Sequence, residues 1–268
     1  MNTIQIHHPG VRLIAHRGVS GLECENTAAA FVAAGNRSYF GIETDVHQTS
    51  DGRLIIIHDD STGRVSEEVL PVEDSTFDAL RAIRLKDRHG LDSRGDLILP
   101  TPEEYLSICR KYEKTAVLEL KNAMPEKVIR QVLAVLKGMR YAENTILISF
   151  DWNNLLYVRR NAPEQHVQFL TGEINDAEAL ARSLAENRFG LDVSHRAYTP
   201  EVADAMHKYR IEVNVWTVDS PRRRGTHHGA RRRLHHVEYS GMIRNCRRQN
   251  SSKKSLCNSN CRGSFSKS

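Results

Sequence analysis

The sequence predicts an α/β fold, specifically a (β/α)8 TIM barrel, in which parallel strands form the core and helices surround them. The main observation is a regular alternation, up to about Asp219, of short apolar runs with longer amphipathic segments. Strands that alternate with helices in this way build a parallel sheet. Seven core strands can be counted, which is one fewer than a closed (β/α)8 barrel requires.

The strands are recognised as short runs rich in apolar and β-branched residues. The second strand is followed by the turn signal Ser50-Asp51-Gly52 and another apolar run, which predicts a β-hairpin over residues 43–59. In chain order, the seven core strands are predicted at residues 12–15, 42–46, 116–120, 145–149, 167–170, 190–193 and 212–217.

The helices are recognised by their first residues. Thr101-Pro102-Glu103-Glu104 has the pattern of a capping box with proline at the first helical position, and predicts a helix to Arg110. Asn26 or Thr27 is expected to cap a helix that reaches Ala34. The remaining helices are predicted to begin near Phe77, Pro125, Asp151, Asp176 and Pro200.

Charge divides the chain into two parts. Residues 221–268 contain 13 of the 38 lysines and arginines and a single acid, Glu238, whereas residues 1–220 contain 25 basic and 32 acidic residues. We interpret residues 1–220 as the barrel, with residues 60–98 as a small insertion after strand 2, and residues 221–268 as a basic, disordered tail. Nucleic-acid binding would rest on that tail alone, so no specific nucleic-acid partner is predicted.

The tail occupies the place of the missing eighth β/α unit, and the genetic code offers an explanation. With permitted codons for residues 222–241, a reading frame displaced by one nucleotide can spell EDAERITARGVDYITSNILE, an amphipathic helix, a glycine and an apolar strand. In that frame Met242 and the following isoleucine give a stop codon. We therefore expect a frameshift near Pro221, which would have removed the eighth unit.

Other features exclude several classes of protein. The longest apolar runs are far shorter than a membrane span. The polar start of the chain lacks the basic and apolar regions of a signal peptide, so a cytoplasmic protein is expected. Cys24 and Cys109 are isolated, and the tail cysteines have no recognised zinc spacing. No pattern indicates an oligomeric state.

Ionisable residues follow the first three core strands at the ends where a barrel places its active site. Because residues two apart in a strand share a face, two pairs on neighbouring strands are expected to point into the same mouth. Folding of the hairpin brings a histidine opposite Thr44, between the carboxylates of strand 2. The residues concerned are His16, Arg17, Glu43, Asp45, His58, Glu119 and Lys121.

These residue types suit metal-assisted cleavage of a phosphodiester. Three carboxylates form a hard oxygen site that favours Mg²⁺ or Ca²⁺ over zinc. Such a cation neutralises phosphate oxygens, and an arginine and a lysine add donors for the charge of the transition state. Two histidines with pKa values near neutrality can act as acid and base.

Each residue also has a purely structural interpretation. A histidine after a strand is usually a capping or core residue, and Glu119 with Lys121 could form a simple salt bridge. Asn26 could serve merely as a helix cap, and His47 is expected to face outward. Asp59, Asp60 and Asp151 are expected in turns or caps. The hypothesis therefore rests on the whole set.

The ordered motifs resemble the glycerophosphodiester phosphodiesterase family over roughly residues 11–219. Cys24 departs from the family pattern, which usually has proline before Glu-Asn-Thr. The matching motifs are His16-Arg17-Gly18, Glu25-Asn26-Thr27 with Phe31, Glu43-Thr44-Asp45-Val46, Thr49-Ser50-Asp51-Gly52, His58-Asp59, Leu118-Glu119-Leu120-Lys121, Ser149-Phe150 and Trp216-Thr217-Val218.

The resemblance implies a TIM barrel that hydrolyses small glycerophosphodiesters to an alcohol and sn-glycerol 3-phosphate with a divalent cation, Mg²⁺ or Ca²⁺. It implies that His16 and His58 form the acid–base pair. Glu43, Asp45 and Glu119 would be the metal ligands. Arg17 and Lys121 would contact phosphate, and Trp216 would line the glycerol side, while residues 60–98 would border the mouth and tune the alcohol.

Three alternatives stay open. One is a related lysophospholipase D or phosphoinositide phospholipase, which would need an apolar approach for an acyl chain. Another is an inactive or phosphate-binding barrel, because an unclosed barrel exposes two strand edges. A third is non-specific binding of nucleic acid or anionic membrane by the tail. Initial attack by a neighbouring hydroxyl, which gives a cyclic phosphate, is also possible within the family mechanism.

Overall fold

Strands and helices alternate along the chain in the computed structural model, which describes residues 4–6, 11–87, 89–91 and 94–218 and the backbone of strand 237–241. The strands are β1 Arg12–Ala15, β2 Gly41–Gln48, β3 Leu54–Ile56, β4 Thr115–Leu120, β5 Thr145–Ser149, β6 His166–Thr171, β7 Gly190–Ser194, β8 Val213–Trp216 and β9 Val237–Gly241. The helices are α1 Ala28–Gly35, α2 Phe77–Ala82, α3 Pro102–Lys111, α4 Glu126–Gly138, α5 Trp152–Asn161, α6 Ala177–Asn187 and α7 Pro200–Lys208.

The strands form a ring, which confirms the predicted barrel. Seven of them are parallel neighbours in the order β1, β2, β4, β5, β6, β7 and β8. β9 lies between β8 and β1 and is antiparallel to both. The ring is therefore closed by eight strands, of which one runs in the opposite direction.

β9 lies within residues 221–268, the segment predicted as a basic tail. Without β9, the outer edges of β1 and β8 would present unpaired backbone groups, so a segment that pairs with both satisfies them. A parallel strand would need a crossover helix before it, whereas an antiparallel strand does not. Residues 219–236 and 242–268, on which the rest of the tail and frameshift predictions fall, lie outside the described residues.

The helix starts agree with the caps expected from the sequence. Thr101 and Glu104 form the reciprocal capping box, with Pro102 at the first helical position. Thr27, rather than Asn26, caps α1 by accepting a hydrogen bond from the backbone of Ala30. Asp151 caps α5 in the same way.

Two apolar layers lie on opposite faces of the ring, as the two-residue period of a strand requires. The larger layer packs the outer faces of the strands against the helices. A smaller layer fills the barrel interior and is formed by Ile14, Val117, Ile146, Ile148 and Leu170, with Phe40 and Trp216 packed against it. The barrel is thus a filled core with a polar mouth above it.

The predicted hairpin is confirmed. β2 and β3 pair antiparallel with Val46 opposite Ile56, and the Ile57 N–H donates to the Asp45 carbonyl at 3.2 Å. This register puts His58 opposite Thr44, as expected. The insertion that follows has its own apolar cluster around Ile55, which packs it onto the hairpin.

Within the parts of the chain that the structure describes, the helices are all too short or too polar to cross a bilayer.

The loop after β1 is wound tightly at Gly18. Its φ is +74°, and a Cβ placed there would lie 2.7 Å from the backbone carbon of Ala30. The neighbouring Val19 N–H donates to the Ala30 carbonyl at 3.1 Å, which holds the loop against α1. Only glycine fits this position without displacement of the helix.

We expect Gly18→Ala to lower the free energy of unfolding by about 3 kcal/mol or more, because backbone strain of about 1–2 kcal/mol is added to a steric clash. Gly52→Ala is the matched control, since Gly52 has a φ of +82° but no atom within 4 Å of the place that the new methyl group would take. It should cost only about 1–2 kcal/mol. Urea denaturation of both variants measures the difference, and equal losses would contradict the close packing at Gly18.

Candidate active site

Three carboxylates from neighbouring strands meet at the mouth of the barrel. Glu43 and Asp45 lie on β2, and the β2–β4 register places Asp45 beside Glu119. One carboxylate oxygen from each lies within 4.8 Å of the others. The residues are only 2%, 1% and 6% exposed, respectively. The structure therefore brings together the three residues that the sequence singled out as a metal site.

Positive groups and amide donors surround these carboxylates. Lys121 Nζ lies 2.9 Å from Glu119 Oε1 and 3.7 Å from Asp45 Oδ1. Arg17 contributes its backbone N–H, which donates to Glu43 Oε2 at 2.7 Å, and its Nε, 3.9 Å from Asp45 Oδ2. The two predicted phosphate-binding residues thus lie at the same mouth as the three acids.

Asn26 does not cap α1, as was considered from the sequence, but contacts a carboxylate of the site. Its Nδ2 donates to Asp45 Oδ2 at 2.8 Å, and its Oδ1 accepts from the Thr44 hydroxyl at 2.7 Å. Asn26 is buried and has a φ of 53°, in the left-handed region that asparagine tolerates better than most residues. It fixes the orientation of the Asp45 carboxylate.

The crowding of acids changes their proton affinity. Burial, followed by the charge of Asp45, raises the pKa of Glu119 to about 8, although Lys121 opposes the shift. Burial alone would lower the pKa of Lys121, but the charges of Glu119 and Asp45 raise it. Without a cation, Glu119 therefore carries a proton near neutral pH.

The chemistry of the donors fits a divalent cation. Three buried carboxylates offer the hard oxygen ligands that Mg²⁺ and Ca²⁺ prefer. Asp45 Oδ1 is buried and accepts no hydrogen bond from the described part of the chain, so one lone-pair direction is left for a ligand. A cation bound between the acids would relieve their mutual repulsion.

His58 lies beside this cluster, at the end of the hairpin. Its Nδ1 is 2.6 Å from Asp59 Oδ1, which leaves Nε2 for another partner. Burial lowers the pKa of His58, and the charges of Arg17 and Lys121 add to this effect, against the charge of Asp45 and the hydrogen bond with Asp59. His58 is thus neutral at pH 7, as a proton acceptor must be.

His16 and Trp216 lie at ends of strands that border the same mouth. His16 directly follows β1, next to Arg17. Trp216 ends β8 and packs edge-to-face on Phe150, with 5.9 Å between ring centroids, and Phe150 is 50% exposed. Trp216 ends β8 and Phe150 follows β5, so the aromatic pair joins residues from strands that lie three steps apart in the ring.

The expectation that His47 faces outward is wrong. His47 is fully buried, and its Nδ1 lies 3.0 Å from Glu73 of the insertion. Its Nε2 is 3.4 Å from the carbonyl of His58. Glu43, Asp45 and His47 are alternate residues of β2, so their side chains share one face of the strand. The hairpin and the insertion cover His47 there.

Asp59 was expected only as a turn residue, but it also forms a hydrogen bond with His58. Arg64, which sequence reasoning missed, donates from Nε to Asp59 Oδ2 and from Nη1 and Nη2 to Glu25. Glu25 in turn accepts from Arg17 at 3.0 Å. No local pattern marks Arg64, because its partners lie in different loops.

Asp192 is a second residue that sequence reasoning missed. It is fully buried inside the barrel on β7, and its Oδ2 accepts from Asn214 Nδ2 at 3.1 Å. Burial raises its pKa well above the usual range, and the charges of Glu43 and Glu119 add to the shift. An aspartate in the middle of an apolar strand was the available signal.

Comparisons with known proteins agree with this geometry. The glycerophosphoryl diester phosphodiesterase family matches residues 16–245, beyond the range over which the motifs alone were recognised. A glycerophosphodiester phosphodiesterase of Caldanaerobacter subterraneus is 28% identical, over 77% of this chain and 85% of its own length.

Solved structures show the same relationship. A proposed glycerophosphoryl diester phosphodiesterase of Silicibacter pomeroyi has a TM-score of 0.70 and 26% identity, covering 80% of this chain and 85% of its own. An Oleispira antarctica phosphodiesterase, solved with the product sn-glycerol-3-phosphate, has a TM-score of 0.71 at 24% identity, over 77% and 84% of the two chains, and supports the fold. The chain therefore belongs to the glycerophosphoryl diester phosphodiesterase family, whose members are phosphoric diester hydrolases.

Proposed function

We propose that this chain hydrolyses glycerophosphodiesters to sn-glycerol 3-phosphate and an alcohol with a divalent cation, Mg²⁺ or Ca²⁺. The observation that carries the proposal is the buried triad of Glu43, Asp45 and Glu119, with oxygens within 4.8 Å of one another. Structural and curated relatives named for this activity, and the product bound to the Oleispira antarctica enzyme, support the substrate class.

The cation would be held by the three carboxylates and would neutralise phosphate oxygens when bound. The chain's own cations complete this environment. Lys121 and Arg17 lie on two sides of Asp45, so a phosphate placed above the triad would meet both. Their fixed positive charge stabilises the additional negative charge of the transition state.

His58 and His16 are proposed as the acid–base pair. The hydrogen bond to Asp59 favours the tautomer of His58 with a proton on Nδ1, so Nε2 is free to accept or return a proton at the substrate. The lowered pKa of His58 keeps it neutral at pH 7. His16, on the neighbouring loop, would serve the opposite role. Trp216 with Phe150 would contact the glycerol side of the substrate.

The alternatives from the sequence remain distinguishable. An acyl-chain substrate would need an apolar approach, whereas the insertion presents charged Arg64 and Glu73 toward the site. We retain the proposal of a frameshift near Pro221, and with it the possibility that the chain binds phosphate without turnover. The small-molecule substrate and the cytoplasmic location stay predictions.

For the activity itself, incubation with glycerophosphocholine and Mg²⁺ or Ca²⁺ should yield sn-glycerol 3-phosphate, and EDTA should abolish it. His16→Ala and His58→Ala should each lower kcat by about 10²–10⁴, the usual contribution of a general acid or base. His207→Ala, an exposed histidine on α7, is the control and should leave kcat unchanged.

Product from a chain whose residues 222–241 are replaced by EDAERITARGVDYITSNILE, with none from the chain as written, would identify a damaged member of the family. Turnover that survives both histidine substitutions would contradict the proposed mechanism.

For the cation, binding at pH 7 should release a proton, because Glu119 with a pKa of about 8 must ionise to become a ligand. Affinity should therefore rise from pH 6 to pH 8, by up to about tenfold per unit, and then level off. Titration calorimetry in buffers of different ionisation enthalpy measures both effects. Glu119→Gln should bind more weakly and release no proton. Affinity that is independent of pH in this range would show that Glu119 is not the titrating ligand.

A further inference from the structure

A chain of alternating charges joins the two sides of the site through the insertion. His58 Nδ1 lies 2.6 Å from Asp59, and Asp59 accepts from Arg64 Nε at 2.5 Å. Arg64 Nη1 and Nη2 donate to the two oxygens of Glu25 at 2.7 and 2.8 Å. Glu25 then accepts from Arg17 Nη1 at 3.0 Å. This series of contacts ends at His58 and Arg17, which are both groups that the proposed mechanism uses.

Arg64 is the central member because of its shape. A guanidinium group offers several donors in one plane, and Arg64 uses three of them for two carboxylates that come from different loops. Burial would raise the pKa of Glu25, but Arg64 and Arg17 hold it at about 2. Asp59 behaves similarly, with a pKa of about 2 through Arg64 and His58. Both carboxylates are therefore charged at neutral pH.

We infer that Arg64 is a positioning residue that fixes His58 and Arg17 relative to each other, so that the proton-transfer group and the phosphate-binding group act on the same substrate. The inference rests on the proposed function for the role of those two groups. Through Asp59 it limits rotation of the imidazole, and through Glu25 it holds the guanidinium of Arg17 beside Asp45. The insertion thus supports the catalytic geometry, in addition to any effect on the choice of alcohol.

The insertion contains a matched arginine that lacks this connection. Arg94 Nη1 binds Glu23, in the same loop as Glu25, at 2.6 Å, and its Nη2 binds Asp96 at 2.7 Å. Its side chain is 38% exposed, against 46% for Arg64. Arg94 therefore fastens the insertion to the same loop without contact to Asp59 or Glu25, and controls for a merely structural role.

The kinetic experiment compares Arg64→Gln, Arg64→Lys and Arg94→Gln, each as the full chain with its cation. We expect Arg64→Gln to lower kcat/KM by about 10–100-fold, as loss of a residue that orients a reacting group does. Arg64→Lys should recover only part of the lost kcat/KM, because an ammonium group cannot bind both carboxylates with the planar donor geometry of a guanidinium group. Arg94→Gln should stay within about twofold of the parent chain. Equal losses in Arg64→Gln and Arg94→Gln would overturn the inference.

A second readout does not depend on turnover. Charged groups that act on His58 are Asp45, Arg17, Asp59 and Lys121. Arg64 competes with His58 for Asp59, so its removal should raise the pKa of His58, measured by NMR titration of the imidazole, while Arg94→Gln leaves it unchanged. The same pKa in all variants would overturn the inference. If the parent chain cleaves no glycerophosphodiester but the pKa still shifts only in Arg64→Gln, the proposed function fails and the coupling stands.

Discussion

Three carboxylates buried within 4.8 Å of one another repel strongly in a medium of low dielectric constant, and the surrounding structure compensates this repulsion. Lys121, Arg17 and the amide of Asn26 each contact one or more of these acids, and Glu119 keeps a proton near neutral pH. A bound cation would replace that proton. The site is thus prepared to receive a cation, and that cation together with Lys121 and Arg17 would supply the positive charge that a phosphodiester transition state requires.

The barrel provides this arrangement because the ends of its parallel strands converge. β2 and β4 are neighbours in register, so Asp45 and Glu119 lie side by side, and an apolar layer inside the barrel supports them from below. The loop after β1 reaches the same place only because Gly18 allows a close approach to α1. The hairpin and insertion then complete the mouth, and through Arg64 they join His58 to Arg17.

Much of this could be predicted from local patterns. The strands, the hairpin register and the capping box at Thr101 follow from periodicity and from a few residue types. The convergence of Glu43, Asp45 and Glu119 follows from side-chain alternation once a barrel is assumed. Contacts between loops could not be predicted in this way, because Arg64, Glu25 and Glu73 find partners that are set by tertiary packing. The strand Val237–Gly241 was also missed, since its pairing depends on two open edges far away in the sequence.

The central claim is that the carboxylate triad is a cation site, and anomalous diffraction from a crystal of the protein grown with Mn²⁺ tests it most directly. Mn²⁺ prefers oxygen ligands, as Mg²⁺ and Ca²⁺ do, and gives an element-specific signal. We predict one strong peak at about 2.0–2.6 Å from carboxylate oxygens of Glu43, Asp45 and Glu119. A peak at any other place, with none between these three residues, would contradict the claim.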